Sequence, residues 1–418
     1  MKIKIDTGKL LQYFLILLFF VWQNAGIILS FGTVKFYYIV IAVSALVILT
    51  RLKGKIQKKA AAFAVAIVIN IVFVRFISGG GAGITTIIRW LSAILLTYVA
   101  IKINKGKFMS RYIKVVAFFA VISIVMWGLT LISPDFFKMI SIFKYVPYQD
   151  KIWSDAITYR WSPVTYYGNF FYVARFGNDL ARNNGIFNEP GLHQIVLNTA
   201  LFYLLNYGDS FDLKKKQCGI IEIVLIAAII TCQSTTGYIG LLINIVNVLI
   251  TGQYRKKVKI IGVIFLTTIM IIMDYGANGS QSFIGTAIIS KLFAGNSGLQ
   301  LNASGTARMG TIAIALSSII SHPLGVGFAQ LHVAIEEAGK RSVDGAAIFS
   351  NLMALGISFW IITIYFIIVP MYRSHKTRLV SLCAILLYIN TVCAQSDVFY
   401  PALLVLCMGQ DCMGEKPL

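Results

Sequence analysis

The segment Arg182–Asn183–Asn184–Gly185–Ile186–Phe187–Asn188–Glu189–Pro190–Gly191–Leu192–His193 brings a guanidinium, a carboxylate and an imidazole together where a polar stretch meets the apolar run 192–205. Gly185 and Pro190–Gly191 interrupt it, and proline, which fixes φ and lacks an N–H, suits the first turn of a helix. Glu189 then sits beside a helix N-terminus, where negative charge is favoured. The set reads in two ways: an anionic-ligand or acid/base site at a membrane edge, with His193 as a further contact, or a charged cap where a helix leaves the bilayer.

A second group is Asn302–Ala303–Ser304–Gly305–Thr306–Ala307–Arg308–Met309–Gly310, then the apolar stretch 311–320 and His322–Pro323–Leu324–Gly325–Val326–Gly327–Phe328, with Asp344 beyond it. Arg75 and Arg89 flank the turn Ser78–Gly79–Gly80–Gly81–Ala82–Gly83. The N–H groups of such a turn can meet an anion, so the pair resembles a lipid-phosphate site. Snorkelling of both arginines to headgroup phosphates is the plainer reading. Between residues 134 and 186, aromatic residues including Trp153, Trp161, Tyr166 and Tyr167 interleave with Arg160 and Arg175. Rings beside hydrogen-bonding groups suit the apolar faces and hydroxyl edges of sugars. An interfacial aromatic belt is the alternative.

The elements that must position these residues are membrane spans. Hydrophobic residues make up 58% of the 418 and charged ones 13%, with a mean hydropathy of +0.78. A bilayer core of about 30 Å needs roughly 20 helical residues. Apolar runs near 10–30, 35–50, 59–77, 84–101, 112–133, 187–206, 217–232, 236–251, 258–274, 345–370 and 378–395, with a short one at 398–410, predict an all-α polytopic integral membrane protein of about eleven or twelve spans. Lys2, Lys4 and Lys9 precede the first run without a small-residue cleavage site, so that run is expected to stay as a span.

The net charge of +21 follows from lysines and arginines in alternate loops, near 51–59, 102–114, 214–216, 255–259 and 373–378. That is the positive-inside pattern rather than a nucleic-acid footprint. It places the N-terminus in the cytoplasm and two long loops, 134–186 and 275–344, outside the membrane. The chain divides into spans 1–133, the first outer loop 134–186, spans 187–274, the second outer loop 275–344 with a short helix at 311–320, and spans 345–418. None of the six cysteines lies in either outer loop or in a Cys-x-x-Cys pair, so neither a disulfide framework nor a metal site is expected.

The pattern Arg…Gly-x-Phe-x-Glu-Pro entering a helix, followed by Ser-Gly…Arg, an apolar helix and His-Pro-Leu-Gly-Val-Gly, resembles the Wzy-type O-antigen and capsular polysaccharide polymerases, within the superfamily that also contains the O-antigen ligases. By that resemblance Arg182, Glu189 and Arg308 take the places of the family's two loop arginines and its Glu-Pro. Ligases usually carry His-Asn before the helix that follows the second loop, where this chain has Asp344–Gly345–Ala346–Ala347 and only later Asn351. The departure favours polymerase over ligase.

The resemblance implies transfer of a glycan from undecaprenyl diphosphate to a hydroxyl of another lipid-linked repeat unit, on the outer face of the cytoplasmic membrane. The expected partners are that lipid-linked oligosaccharide, the bilayer, and a flippase and chain-length regulator of the same pathway. No cofactor is expected, since the chain has neither an Asp-x-Asp for a metal-bound nucleotide sugar nor a GxxxxGK phosphate loop. Arginines would stabilise the diphosphate leaving group, and Glu189 or Asp344 would take the hydroxyl proton. Arg75, Arg89, Arg160, Arg175, His193, His322, Trp153, Trp161 and Tyr167 are the expected substrate contacts. A ligase-like transferase, or a flippase for lipid-linked oligosaccharides, is the rival reading.

Overall fold

The computed structural model describes residues 6–23, 33–78, 83–145, 165–176, 182–252, 303–328, 330, 331, 333, 346–395 and 397–407. Helices dominate them. In chain order these are α1 (Thr7–Trp22), α2 (Thr33–Thr50), α3 (Lys58–Ser78), α4 (Ile84–Ile103), α5 (Lys105–Ile132), α6 (Pro134–Met139), α7 (Pro190–Tyr207), α8 (Lys215–Thr231), α9 (Thr235–Thr251) and α10 (Ala303–Ser321). Then come α11 (Ala347–Thr363), a π-helical turn, α12 (Val369–Ser374), α13 (Arg378–Val392) and α14 (Pro401–Cys407). Among the described residues, four helical stretches are long and apolar enough to cross a membrane, namely α3, α4, α5 and Ala347–Ser374, and five shorter apolar helices accompany them. The expectation near 258–274 lies outside the described residues.

Side-chain contacts gather the basic loops at one end of the bundle, here called the lower end. Arg51 reaches Thr7, the Tyr98 hydroxyl meets the main chain of Lys55 and Gln57, Arg111 donates to Gln12, and Lys107 pairs with Asp212. From there α7 rises to Pro190 at the upper end. Nearly every α7 side chain is buried, because it packs against α5, α8, α9, α13 and α14. A helix buried on every side belongs at a centre rather than on a face. Its polar members lie along the α9 contact. Asn198 donates to Gln194 and the Gly237 carbonyl, Asn244 donates to Asn198, and Asn247 donates to Asn206. A side chain at Gly240 would strike the Asn198 amide. Small residues and amide pairs are the usual means of joining helices within lipid.

Three stretches depart from the expected plan. The first long loop is not purely helical. It carries an antiparallel sheet of β1 (Phe143–Tyr145), β2 (Thr165–Gly168) and β3 (Val173–Phe176), in the order β1-β2-β3, so the all-α description is corrected there. Phe137 of α6, Tyr172 and Ala174 form a small core under this sheet, with Trp127 of α5 and Tyr167 against it.

The expected single span 345–370 is broken at Gly356 (φ 72°, ψ −170°). The His322–Phe328 segment that follows α10 repairs the break. Val326 and Gly327 donate to the carbonyls of Met353 and Ala354, and Ile357 donates to the Pro323 carbonyl. Broken helix backbone at membrane depth persists only where protein satisfies it in this way.

The third departure is the run at 398–410, where among the described residues only Pro401–Cys407 is helical. Asp397 lies at the upper end, against Trp90, whereas the Leu406 carbonyl meets His375 at the lower one. Four non-helical residues and seven helical ones thus cover on the order of 24 Å. They do so wholly buried.

Candidate functional site

Glu189 is the N-cap of α7, with extended backbone (φ −137°, ψ 141°) and Pro190 at the first helical position. Its carboxylate makes no capping bond to the helix it heads and is exposed. The preceding segment is held from three sides. Asn183 donates its main-chain N–H to the Thr231 carbonyl (3.0 Å) and its side-chain amide to Thr231 and Ser123. Val173 of β3 donates to the Gly185 carbonyl at 2.7 Å. Gly185 has a φ of 58°, and a Cβ there would enter the ring of His193, so both conformation and space require glycine.

The sheet places Arg175 opposite Tyr166, which lies opposite Tyr145, on one face. The Tyr145 and Tyr166 rings are 6.1 Å apart. Burial lifts the Tyr166 phenol above its ordinary range, while the positive charge of Arg175 lowers it and the negative charge of Glu189 raises it. Tyr166, Arg175 and Glu189 therefore share one electrostatic neighbourhood at the upper end. Arg182 lies within electrostatic range of Tyr238, and its carbonyl accepts from the Tyr172 hydroxyl. Neither arginine stands alone, and nor does Glu189.

A second cluster adjoins the first. A side chain at Gly191 would run into the Gln395 amide, and Ala347 N–H donates to the Gln395 carbonyl. Two residues on, buried Asp397 contacts Arg89 Nε at 2.7 Å through Oδ2. The approach is an ion-pair contact, since neither atom meets hydrogen-bond geometry. Asp397 Oδ1 accepts from Trp90 Nε1 and from the N–H groups of Val398 and Phe399. The Arg89 guanidinium also lies 5.6 Å from the centre of the Trp22 ring. Removing one partner of such a buried pair typically costs about 3–5 kcal/mol.

The structure distributes the expected site residues unevenly. Glu189, Arg175 and Arg182 fall at the upper end around the head of α7, and Arg89 lies beside them, engaged by Asp397. Arg75 is exposed in the last turn of α3, next to Phe76, which is 87% exposed, as the snorkelling reading expects. His193 is packed beneath Gly185, its Nδ1 being 3.4 Å from the Asn183 carbonyl. It shapes the loop from below, where the sequence reading made it a substrate contact. Tyr167 points into the small core with Phe176, because neighbouring strand residues face opposite ways, and Tyr166 is the ring on the Glu189 side. His322 is exposed at the end of α10, hydrogen-bonded to Ser321. Arg308 is on the second turn of α10, and its side chain lies outside the described residues, as do Arg160, Trp153, Trp161 and Asp344 altogether.

Gln395, at the end of one apolar run, and Asp397, in the short gap before the next, were missed because so brief a polar stretch reads as a turn. The available signal was Arg89 itself, since a cation inside a span requires a partner. No protein-family model matches the sequence, and neither does any curated protein or solved structure.

Proposed function

We propose that the chain is a polysaccharide polymerase of the cytoplasmic membrane. In this reading it transfers a growing glycan from undecaprenyl diphosphate to a hydroxyl of a second lipid-linked repeat unit on the outer face. The observation that carries the reading is the uncapped Glu189 carboxylate, grouped with Arg175 and Tyr166 at the end of the bundle opposite the basic loops. The hydroxyl attacks the anomeric carbon, its proton passes to Glu189, and the bond to the diphosphate breaks. Charge then grows on the leaving group, where fixed guanidiniums stabilise it most. Arg182 and Arg308 supply that charge, and Tyr145 and Tyr166 offer ring faces to the acceptor sugar.

The test is incubation of the purified protein in lipid with an undecaprenyl-diphosphate-linked repeat unit. The expected product is a ladder of increasing length. Unchanged substrate length would overturn the reading.

One observation favours a transporter of lipid-linked glycans instead: α11 is broken and the Asp397–Cys407 segment is discontinuous, both common where substrates cross a bundle. The same vesicles separate the two, because a transporter moves the lipid between leaflets without lengthening the glycan.

A further inference from the structure

A groove of about 340 Å³ lies between α5 and α8, lined by Lys114, Phe118, Val121 and Ile122 on one helix and by Ile221 and Val224 on the other. Its wall is apolar apart from Lys114. Phe118 and Val121 are 55% and 47% exposed, so the groove opens on the outside of the bundle. Lys114 lies at its lower end, because α5 rises from Lys105. The surroundings there are positive: Lys105, Lys107 and Lys214–Lys216 begin the same two helices. Asp212 pairs with Lys107 at 3.0 Å and lies within electrostatic range of Lys114, leaving an excess of ammonium groups at this end. Glu222 follows Ile221 by 100° of helix rotation and points away from the wall that Ile221 and Val224 form.

The geometry points to a binding site for one anionic phospholipid, with an acyl chain along the α5–α8 groove and its phosphate on Lys114. An apolar slot that ends in an ammonium on a long methylene stem, in positive surroundings, matches both parts of that molecule. The volume is in the range that holds small apolar molecules. The inference rests on the packing of α5 against α8 and is independent of glycosyl transfer.

The full-length protein in detergent is titrated with phosphatidylglycerol, and separately with phosphatidylcholine of the same chains, while thermal unfolding is followed. A ligand of the folded state raises the midpoint. Phosphatidylglycerol should act at lower concentration than phosphatidylcholine. Lys114→Gln should remove that preference, about a fivefold loss for one basic residue. Val121→Trp, which fills the groove from an exposed position, should weaken both lipids. Lys55→Gln, at the same end but outside the groove, should change neither, and glycerol phosphate alone should give no shift. Equal response to the two lipids, a preference that survives Lys114→Gln, a Val121→Trp variant that binds both normally, loss of the preference in Lys55→Gln, or a shift with glycerol phosphate matching that of phosphatidylglycerol would each overturn the site.

Discussion

Glu189 heads a helix that it does not cap, and this separates two roles that the sequence leaves together. A capping carboxylate would be bonded to the N–H groups of the first turn; this one makes no such bond. Glu189→Gln is therefore expected to lower polymer formation by about 10²- to 10⁴-fold, with protein level and membrane insertion unchanged. Adding Arg182→Gln should not restore it; restoration would make Glu189 a structural ion-pair partner, and an active Glu189→Gln would transfer the base role to Asp344. Arg308→Lys keeps the charge and loses the planar fork. Polymer of normal length and yield from that variant would rule out bidentate contact with the diphosphate. At this scale the sequence puts Arg182 and Glu189 on one polar segment and Arg175 in the loop before it, and the structure gathers all three at the upper end. It misses side-chain direction at Tyr166 and Tyr167, because strand parity cannot be read before the register is known.

Among the elements, the His322–Phe328 segment serves as a clamp on broken α11. Gly356 occupies backbone space open to glycine alone, and a Cβ there would land on the main chain of Leu324, Pro323 and Gly325. Gly356→Ala is expected to destabilise the protein by roughly 2 kcal/mol or more, read as a lower unfolding midpoint in detergent. An unchanged midpoint would mean that the clamp adapts without loss. The His-Pro-Leu-Gly-Val-Gly motif looks like chemistry in the sequence, yet its backbone does the work through Val326, Gly327 and Pro323. Helix positions are legible where apolar length announces them, as for α3, α4 and α5. The break at Gly356 is hidden because one glycine inside an apolar run leaves hydropathy almost unchanged. The sheet is hidden because its strands have three or four residues each and β1 lies well before the β2–β3 hairpin in sequence.

For the whole molecule, orientation and pH response can each be tested. With the native cysteines replaced, Asp155→Cys should react with an impermeant thiol reagent in intact cells and Lys55→Cys should not; the reverse pattern would invert the topology. At the lower end, burial holds the imidazole of His375 down to about 4, although its Nε2 is near the Leu406 carbonyl. The unfolded chain binds a proton near pH 6.5 and the folded one does not. Stability is thus complete above pH 6.5 and falls as pH drops toward 4, by up to about 3 kcal/mol from this group. His375→Gln should flatten the fall in unfolding midpoint between pH 7 and pH 4.5, and an equally steep fall in the variant would assign the effect elsewhere. Finally, the buried Asp397–Cys407 segment bears on how the chain is made. Every helix that surrounds it is synthesised earlier, and seven helical residues are too few for an insertion machine to recognise as a span. Until it threads inward from Asp397, Arg89 has no counter-charge and the centre of the bundle is a hollow. Ribosome-stalled chains that stop before residue 397 should therefore be inserted in the membrane yet open to proteases, the result expected of a late plugging step; protease resistance equal to that of the longer chain would rule such a step out.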